Sequence, residues 1–251
     1  MAKALITGAS SGIGATFAKH LANMGYDLIL IARRQDRLQQ LAGEVSVTVQ
    51  IIVADLTIDE DVARVEAVIA AQDDIAFLVN NAGFGNVSYF ADAALDKHLD
   101  MIDLHVKASI RLMYAVIPQM KQAHNGAIIN VASIGGLIPM PTSATYNATK
   151  AFLVSFSESL AMEVAEFGIV VQALCPGFTY TEIWDQAGFD ESGVPKLAWM
   201  SSDEVVVASL RAIPKKHYRV TPGLLYQIGW RLMQIPILHH GLKVYLNRSL
   251  K

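Results

Sequence analysis

The sequence predicts a doubly wound α/β fold, a parallel sheet of about seven strands with helices on both faces. Three observations predict it. Apolar strand-like runs alternate with helical stretches along the chain: Lys3 to Thr7, Asp27 to Ala32, Thr48 to Val53, Ile75 to Asn80, Ala127 to Ala132, Ile169 to Leu174 and His217 to Thr221. The runs are apolar throughout rather than alternating, as strands buried on both faces must be. No Pro/Gly/Ser-rich linker, repeat or low-complexity tract breaks the pattern, so residues 1–251 are expected to form one domain.

Composition narrows the function. Of 251 residues 53% are hydrophobic, enough for a substantial core. The net charge is -3 with no basic run, so nucleic acid, whose phosphates need clustered Lys and Arg, is not an expected partner. A single cysteine, Cys175, leaves no disulfide framework and fits a reducing compartment. It lies in the apolar run Val170 to Cys175 and reads as a small buried hydrophobe rather than a nucleophile. The seven His show no metal-ligand spacing, so no metal is expected. Ala2 to Ile6 already reads as strand, which leaves no place for a signal peptide, and no apolar run is long enough to span a bilayer. The expected location is the cytoplasm.

The first strand runs into Thr7-Gly8-Ala9-Ser10-Ser11-Gly12-Ile13-Gly14, and a helical stretch follows from Ile13 to Met24. Glycines there allow a sharp turn and let a pyrophosphate reach the helix N-terminus, whose unpaired N–H groups and positive dipole end attract it. The spacing is G-x-x-x-G-x-G rather than G-x-G-x-x-G, and its strand-turn-helix setting points to a dinucleotide. At the end of the second strand, where an NAD site presents a carboxylate to the ribose, Arg33 and Arg34 follow Ala32. That favours NADP(H), with Arg33 as the 2′-phosphate ligand; the bland alternative is two arginines in solvent at the start of a helix from Gln35 to Leu41.

Asp55 and Leu56 follow the third strand, where Asp55 could accept from an adenine amino group or cap the helix beginning near Ile58, a role Thr57 fills as well. After the fourth strand, Asn80-Asn81-Ala82-Gly83 is a small-residue turn that permits close approach of backbone to ligand, or simply a tight turn.

The stretch Ile129 to Lys150 carries the chemistry. A strand delivers Ser133 to its C-terminal end, and a helix opening near Ser143 places Tyr146 and Lys150 on one face, four residues apart. An ammonium beside a phenol lowers the phenol's pKa from about 10 toward the working range, making it a proton donor to a carbonyl oxygen that Ser133 can hold. Chance supplies a Tyr-x-x-x-Lys readily, so context must decide.

That context is specific. Thr7 to Gly14, Asn80 to Gly83, Ser133, Tyr146-x-x-x-Lys150 and Pro176-Gly177-Phe178-Thr179-Tyr180-Thr181 follow one another in an order that resembles the short-chain dehydrogenase/reductase family, NADP-preferring single-domain type. The resemblance implies Tyr146 as acid/base, Lys150 as the residue that holds the nicotinamide ribose and lowers the Tyr pKa, and Ser133 as the residue orienting the substrate oxygen. It implies a nicotinamide carboxamide anchored by Thr181 and the backbone around Thr179, with Asp55 and Asn81 meeting adenine and its ribose.

One position departs from the family. Its usual Asn in the helix before the fifth strand, thought to hold a water in a proton relay from the active-site Lys, is His105 here. A substitute relay, a packed residue with the relay rerouted, and a relay lost in a non-catalytic homologue are the three readings; the first predicts an acid-side pH dependence from His105.

Three further features bear on partners. Ala144, Ala148, Ala151, Ser155 and Ser159 form a small-residue stripe on the helix from Ser143 to Phe167, suited either to a helix of a second subunit, giving a homodimer or homotetramer, or to the chain's own sheet. Residues Phe178 to Met200 read as a lid whose aromatics, with Leu137, Ile138 and Met140, either roof an apolar substrate pocket or only pack the lid down. Residues 222–251 are expected to form a C-terminal helical extension, similar to that of reductases related to hydroxysteroid and 3-oxoacyl reductases, packed on the body or a second subunit or lying weakly at a membrane surface. The leading expectation is NADPH-dependent reduction of an apolar ketone or aldehyde, reversible to the alcohol. A non-catalytic NADP-binding regulatory or scaffold protein is the runner-up, and an epimerase or dehydratase with the same Tyr-Lys pair comes third.

Overall fold

A computed structural model describes residues 1–189, 191–233 and 235 of the chain. The strands are β1 (Lys3–Thr7), β2 (Asp27–Ala32), β3 (Val49–Val53), β4 (Ile75–Asn80), β5 (Gly126–Val131), β6 (Ile169–Leu174) and β7 (Arg219–Val220). They form a seven-stranded sheet in the order β3-β2-β1-β4-β5-β6-β7, parallel at every pairing. Between them run α1 (Gly12–Asn23), α2 (Gln35–Gly43), α3 (Asp59–Ala70), α4 (Leu95–Ile102), α5 (Ser109–Ala123), α6 (Ala144–Val164), α7 (Ile183–Ala187) and α8 (Ser202–Ala212), and α9 (Leu224–Leu232) follows β7. The doubly wound α/β fold is therefore present.

Period two in the strands sorts the core onto two faces. Leu5, Ile29, Ile31, Leu78 and Ile128 point to one side, where Val62, Val65 and Ile69 of α3, Leu112 and Val116 of α5, and Leu160 and Val164 of α6 cover them. Ala4, Ile6, Leu28, Leu30, Phe77 and Val79 point to the other, against Phe17 and Leu21 of α1, Leu38 and Leu41 of α2, and Val205 and Val206 of α8. Both sides being dry is why these strands are apolar throughout.

The winding places the site. From β1 the chain steps outward to β2 and β3, then returns to β4 on the other side of β1. The connections after β1 and β4 diverge, which opens a crevice at the strands' C-terminal ends.

Element ends shift by small amounts from the sequence reading. The fifth strand spans Gly126–Val131, one residue earlier than expected, and the last is only Arg219–Val220, a short edge strand after Lys216 at φ 55. The helix carrying Tyr146 ends at Val164 and continues as a 3₁₀ turn, Ala165–Phe167, stopped by Gly168 at φ 71. Between α4 and α5 the backbone widens into a π-helical turn, Asp103–Ala108, a local widening that often marks functional sites. Among the described residues no helix is long and apolar enough to cross a membrane. The part of the C-terminal extension expected to run to Leu246 lies outside the described residues.

Candidate active site

β5 ends at Val131, and Ser133 follows in extended conformation, φ -171, its hydroxyl accepting from the Gly135 N–H at 3.1 Å. Gly136 brings this turn against α6, where a Cβ would come within 2.7 Å of the Lys150 backbone. The buried face of α6 recurs at three- to four-residue spacing through Asn147, Lys150, Val154, Ser157, Ala161 and Val164, so Lys150 is drawn into the interior by the stripe that packs the helix. Its Nζ donates to the Val131 carbonyl at 2.8 Å and stands 5.7 Å from the Tyr146 ring centroid. The Ser133 hydroxyl lies close enough to the Tyr146 phenol to favour its ionised form. Ser133, Tyr146 and Lys150 thus meet at one end of a cleft of about 320 Å³.

Burial rules the titrations here. It pushes Lys150 down to about 8 and raises the Tyr146 phenol above its ordinary value, with the Ser133 hydroxyl acting the other way. The expected lowering of the phenol by Lys150 is not what this geometry produces, because desolvation of the phenolate outweighs the help it receives. Cys175 is buried as expected, and desolvation pushes its thiol up to about 12, far from nucleophilic range.

His105 sits in the π-helical turn, 1% exposed. Thr149 Oγ1 donates to the Tyr146 carbonyl at 2.8 Å, so it accepts from His105 Nδ1 at 2.9 Å; His105 Nε2 in turn accepts from the Phe84 N–H at 3.2 Å. Both ring nitrogens are committed to protein partners. Burial, reinforced by the Lys150 charge, holds the imidazole pKa well below its usual value. The acid-side titration expected from His105 is therefore corrected: the ring is neutral and acts as a brace between the π-helical turn, α6 and the loop after β4. Gly83 is bare because a Cβ there would lie 2.7 Å from His105 Nε2 and 3.6 Å from Lys150 Nζ.

The other end of the cleft is built from the glycine turn. Gly8 and Gly12 hold φ values of 64 and 54, and a Cβ on Gly8 would meet the Ala82 Cα at 2.8 Å. Gly14 lies beneath the turn, where a Cβ would strike the Asn81 amide and the Gly8 carbonyl. Asn81 donates to the carbonyls of Thr7 and Gly8 at 3.0 and 3.1 Å, so its side-chain amide staples the turn at the edge of the cleft. Thr7 Oγ1 accepts from the N–H groups of Asn81 and Ala82, a link across β1 and β4 that no local pattern announces. α1 begins at Gly12 without a side-chain cap from Ser11, which leaves the helix N-terminus at the cleft. Of the expected cofactor positions Gly8, Ser10, Ser11, Gly12, Ile13, Arg33, Asp55, Leu56, Asn81, Ala82, Gly83, Tyr146, Lys150, Pro176, Gly177, Thr179 and Thr181 line the cleft, and Gly14 does not: it supports the turn from beneath.

The capping reading changes, and the two arginines differ in setting. Neither Asp55 nor Thr57 caps α3, whose N-cap is Ile58; the Asp55 carboxylate instead accepts from the Thr57 N–H and hydroxyl, closing a turn. Arg33 is an outer residue, its side chain 69% exposed and 3.4 Å from Asp55, whereas Arg34 folds inward onto Ser10 and Ser11 and pairs with Glu182. Arg34 and Glu182 are cleft residues that sequence reasoning left unassigned. Doubling of the arginine was the only signal for the first; Glu182 had none, since its partners are far away in sequence.

The segment after Pro176 forms α7 and short 3₁₀ turns. Phe178 packs against Trp184, Phe189 and Trp199, and Tyr180 stacks on Trp199, so most lid aromatics pack among themselves. Phe84, Leu104, Ile183 and Trp184 line the same cleft as Ser133 and Tyr146; Leu137, Ile138 and Met140 do not line it, which corrects the expected roof. Tyr226 of α9 fits over the bare Cα of Gly177, accepts from the Phe178 N–H at 3.0 Å and donates to the Ala198 carbonyl. The lid is tied at both ends by a tail residue the sequence reading missed. The small-residue stripe of α6, Ala144 through Ser159, is exposed, so it does not pack on the chain's own sheet.

A glycine cradle at a helix N-terminus, paired arginines beyond β2 and a Ser-Tyr-Lys cluster at the far end fit a phosphorylated dinucleotide laid along the cleft. The profile of the family described as short chain dehydrogenase matches residues 2–192. The chain belongs to the short chain dehydrogenase family. Members and relatives include a very-long-chain 3-oxoacyl-CoA reductase of Emericella nidulans, 36% identical over 253 residues, covering 97% of this chain and 68% of that protein. A short-chain dehydrogenase from Sphingobium yanoikuyae, solved in complex with NADPH, superposes with a TM-score of 0.85 at 37% identity, covering 97% of this chain and 96% of the other. A bulky-bulky ketone specific alcohol dehydrogenase from Comamonas testosteroni gives a TM-score of 0.81 at 33% identity over 97% and 94% of the two chains. Family membership makes this an oxidoreductase acting on CH–OH and C=O groups.

Proposed function

We propose that the protein reduces an apolar ketone or aldehyde with NADPH, reversibly, with Tyr146 as the acid/base. The observation that carries this reading is the convergence of Ser133, Tyr146 and Lys150 beside Phe84, Leu104 and Trp184 in one cleft. NADPH supplies the hydride when bound; Arg33, Arg34, the glycine turn, Lys150 and the Pro176 to Thr181 segment would hold it. Tyr146 delivers its proton to the carbonyl oxygen, and Ser133, beside that phenol, steadies the negative charge developing there. Lys150, anchored on the Val131 carbonyl, keeps its remaining N–H groups for the cleft side. The apolar walls exclude water, which strengthens each of these interactions.

The named activities of the Comamonas and Emericella proteins make bulky ketones and 3-oxoacyl thioesters the first substrates to try. NADPH oxidation across such a panel, with Tyr146→Phe as control, tests the reading. Turnover that survives in Tyr146→Phe would sink it and favour a different chemistry; no turnover with any member favours a binding role.

The remaining parts follow from the same reading: one domain over residues 1–251, residues 178–200 as lid, residues 222–251 as extension, a cytoplasmic location, and a homodimer or homotetramer through the exposed stripe of α6. The exposed apolar face of α9, Leu224, Leu225, Ile228 and Leu232, is assigned to a second subunit or a membrane surface. Liposome co-sedimentation separates these two.

A further inference from the structure

The nucleotide end of the cleft contains a negative charge where an arginine pair alone would suffice. Glu182 follows Thr181, whose methyl group lies against Gly12 so closely that a Cβ there would come within 2.9 Å. This contact holds the start of the lid over the glycine turn and carries the Glu182 carboxylate to the arginines beyond β2. One oxygen pairs with Arg34 Nη1 at 2.7 Å and the other with Arg37 Nη1 at 3.3 Å.

Arg34 has little donor capacity left. Its Nε donates to Ser10 at 3.2 Å, and its Nη2 donates to Ser10 at 3.0 Å and to Ser11 at 2.7 Å. The serines orient the guanidinium, and the edge that remains, through Nη1, is occupied by Glu182. A guanidinium binds a phosphate as it binds a carboxylate, by N–H donors along one edge. Arg34 and Arg37 also hold the Glu182 carboxyl below its usual range, so it is ionised at neutral pH.

We propose that Glu182 is a specificity-determining residue, an internal anion that competes with the 2′-phosphate of NADP(H) for Arg34 and Arg37 and so narrows the preference for NADPH over NADH. The inference rests on the NADPH reading above. Binding the 2′-phosphate requires Glu182 either to leave Arg34 or to remain beside it as a like charge; both weaken the phosphorylated cofactor and leave NADH untouched. The pair is more than one-third exposed, so screening keeps the effect moderate, about fivefold.

The test is direct binding to the purified protein, free of any turnover. Dissociation constants for NADPH, NADH, adenosine 2′,5′-bisphosphate and 5′-AMP are measured by calorimetry for wild type and Glu182→Gln, with thermal unfolding to confirm the fold and Glu182→Ala in reserve. Glu182→Gln is expected to tighten both 2′-phosphorylated ligands about fivefold and to leave NADH and 5′-AMP within twofold. Adding Arg34→Ala should erase that gain, because the competition has then lost its object. A wild type that binds NADPH no better than NADH defeats the NADPH reading itself. A wild type that prefers NADPH, with Glu182→Gln showing an equal or smaller preference, leaves that reading standing and overturns the role of Glu182.

Discussion

At the carbonyl end of the cleft, His105 and Lys150 are 1% and 5% exposed; at the nucleotide end, the side chains of Arg33 and Arg34 are 69% and 38% exposed. Charges at the first end lie in a medium that resists ionisation, so burial sets their state, and the Val131 carbonyl, the Phe84 N–H and the Thr149 hydroxyl set their position. Charges at the second end are solvated, paired with one another and exchangeable. One cleft thus performs two tasks by opposite means: rigid placement where a proton moves, replaceable ion pairs where a large anionic cofactor enters and leaves.

The sharpest way to break this contrast is at the phenol. Tyr146→Phe removes one hydroxyl and is expected to lower turnover about 10³-fold while NADPH affinity stays within a few-fold, measured by NADPH oxidation and calorimetry. An equal loss in binding would mean that the carbonyl end also anchors the cofactor heavily.

Next in size is the brace. His105→Ala leaves the Phe84 N–H without its partner and the Thr149 hydroxyl with only the Tyr146 carbonyl, and is expected to cost about 2–4 kcal/mol in urea unfolding, from lost hydrogen bonds and the cavity together. The pH dependence separates a brace from a titrating relay. His105 has a depressed folded pKa, so the unfolded chain binds the proton first; stability present above the unfolded value of 6.5 is lost as pH falls toward the folded value. Wild type should lose stability below pH 6.5 relative to His105→Asn, while the two show the same acid limb in turnover.

Lys150 carries its own window. Its folded pKa of about 8 lies below the ordinary 10.5, so between these values the unfolded chain holds the extra proton and stability rises with pH. Compared with Lys150→Met, wild type should gain stability from pH 8 to 10. The smallest effects are expected at the exposed end. Arg34→Ala should weaken NADPH about tenfold and Arg33→Ala about threefold, read by calorimetry, and both losses should shrink in high salt.

How far the sequence could be read follows the same division. Strands apolar at every position, glycines at Gly8, Gly12 and Gly14, and the Tyr146-Lys150 spacing are local patterns, and each was in place where the fold needed it. The buried polar links were not legible: Asn80 donates to Asn130 at 2.8 Å and Asn130 to Ser157 at 2.8 Å, joining β4, β5 and α6 across long stretches of chain. The same holds for Tyr226 on Gly177 and for Glu182 on Arg34. Partners far apart in sequence leave no periodicity to find.

By itself the sequence determined the winding of the sheet, the place of the cradle and the identity of the Ser133, Tyr146 and Lys150 cluster, because backbone geometry and hydrophobic period act over neighbouring residues. The tertiary structure alone decided that His105 is neutral, that burial raises Tyr146, and that Arg34 turns inward against a carboxylate from the lid. Desolvation and ion pairing depend on what surrounds a group in space, and that is known only once the chain has closed around it.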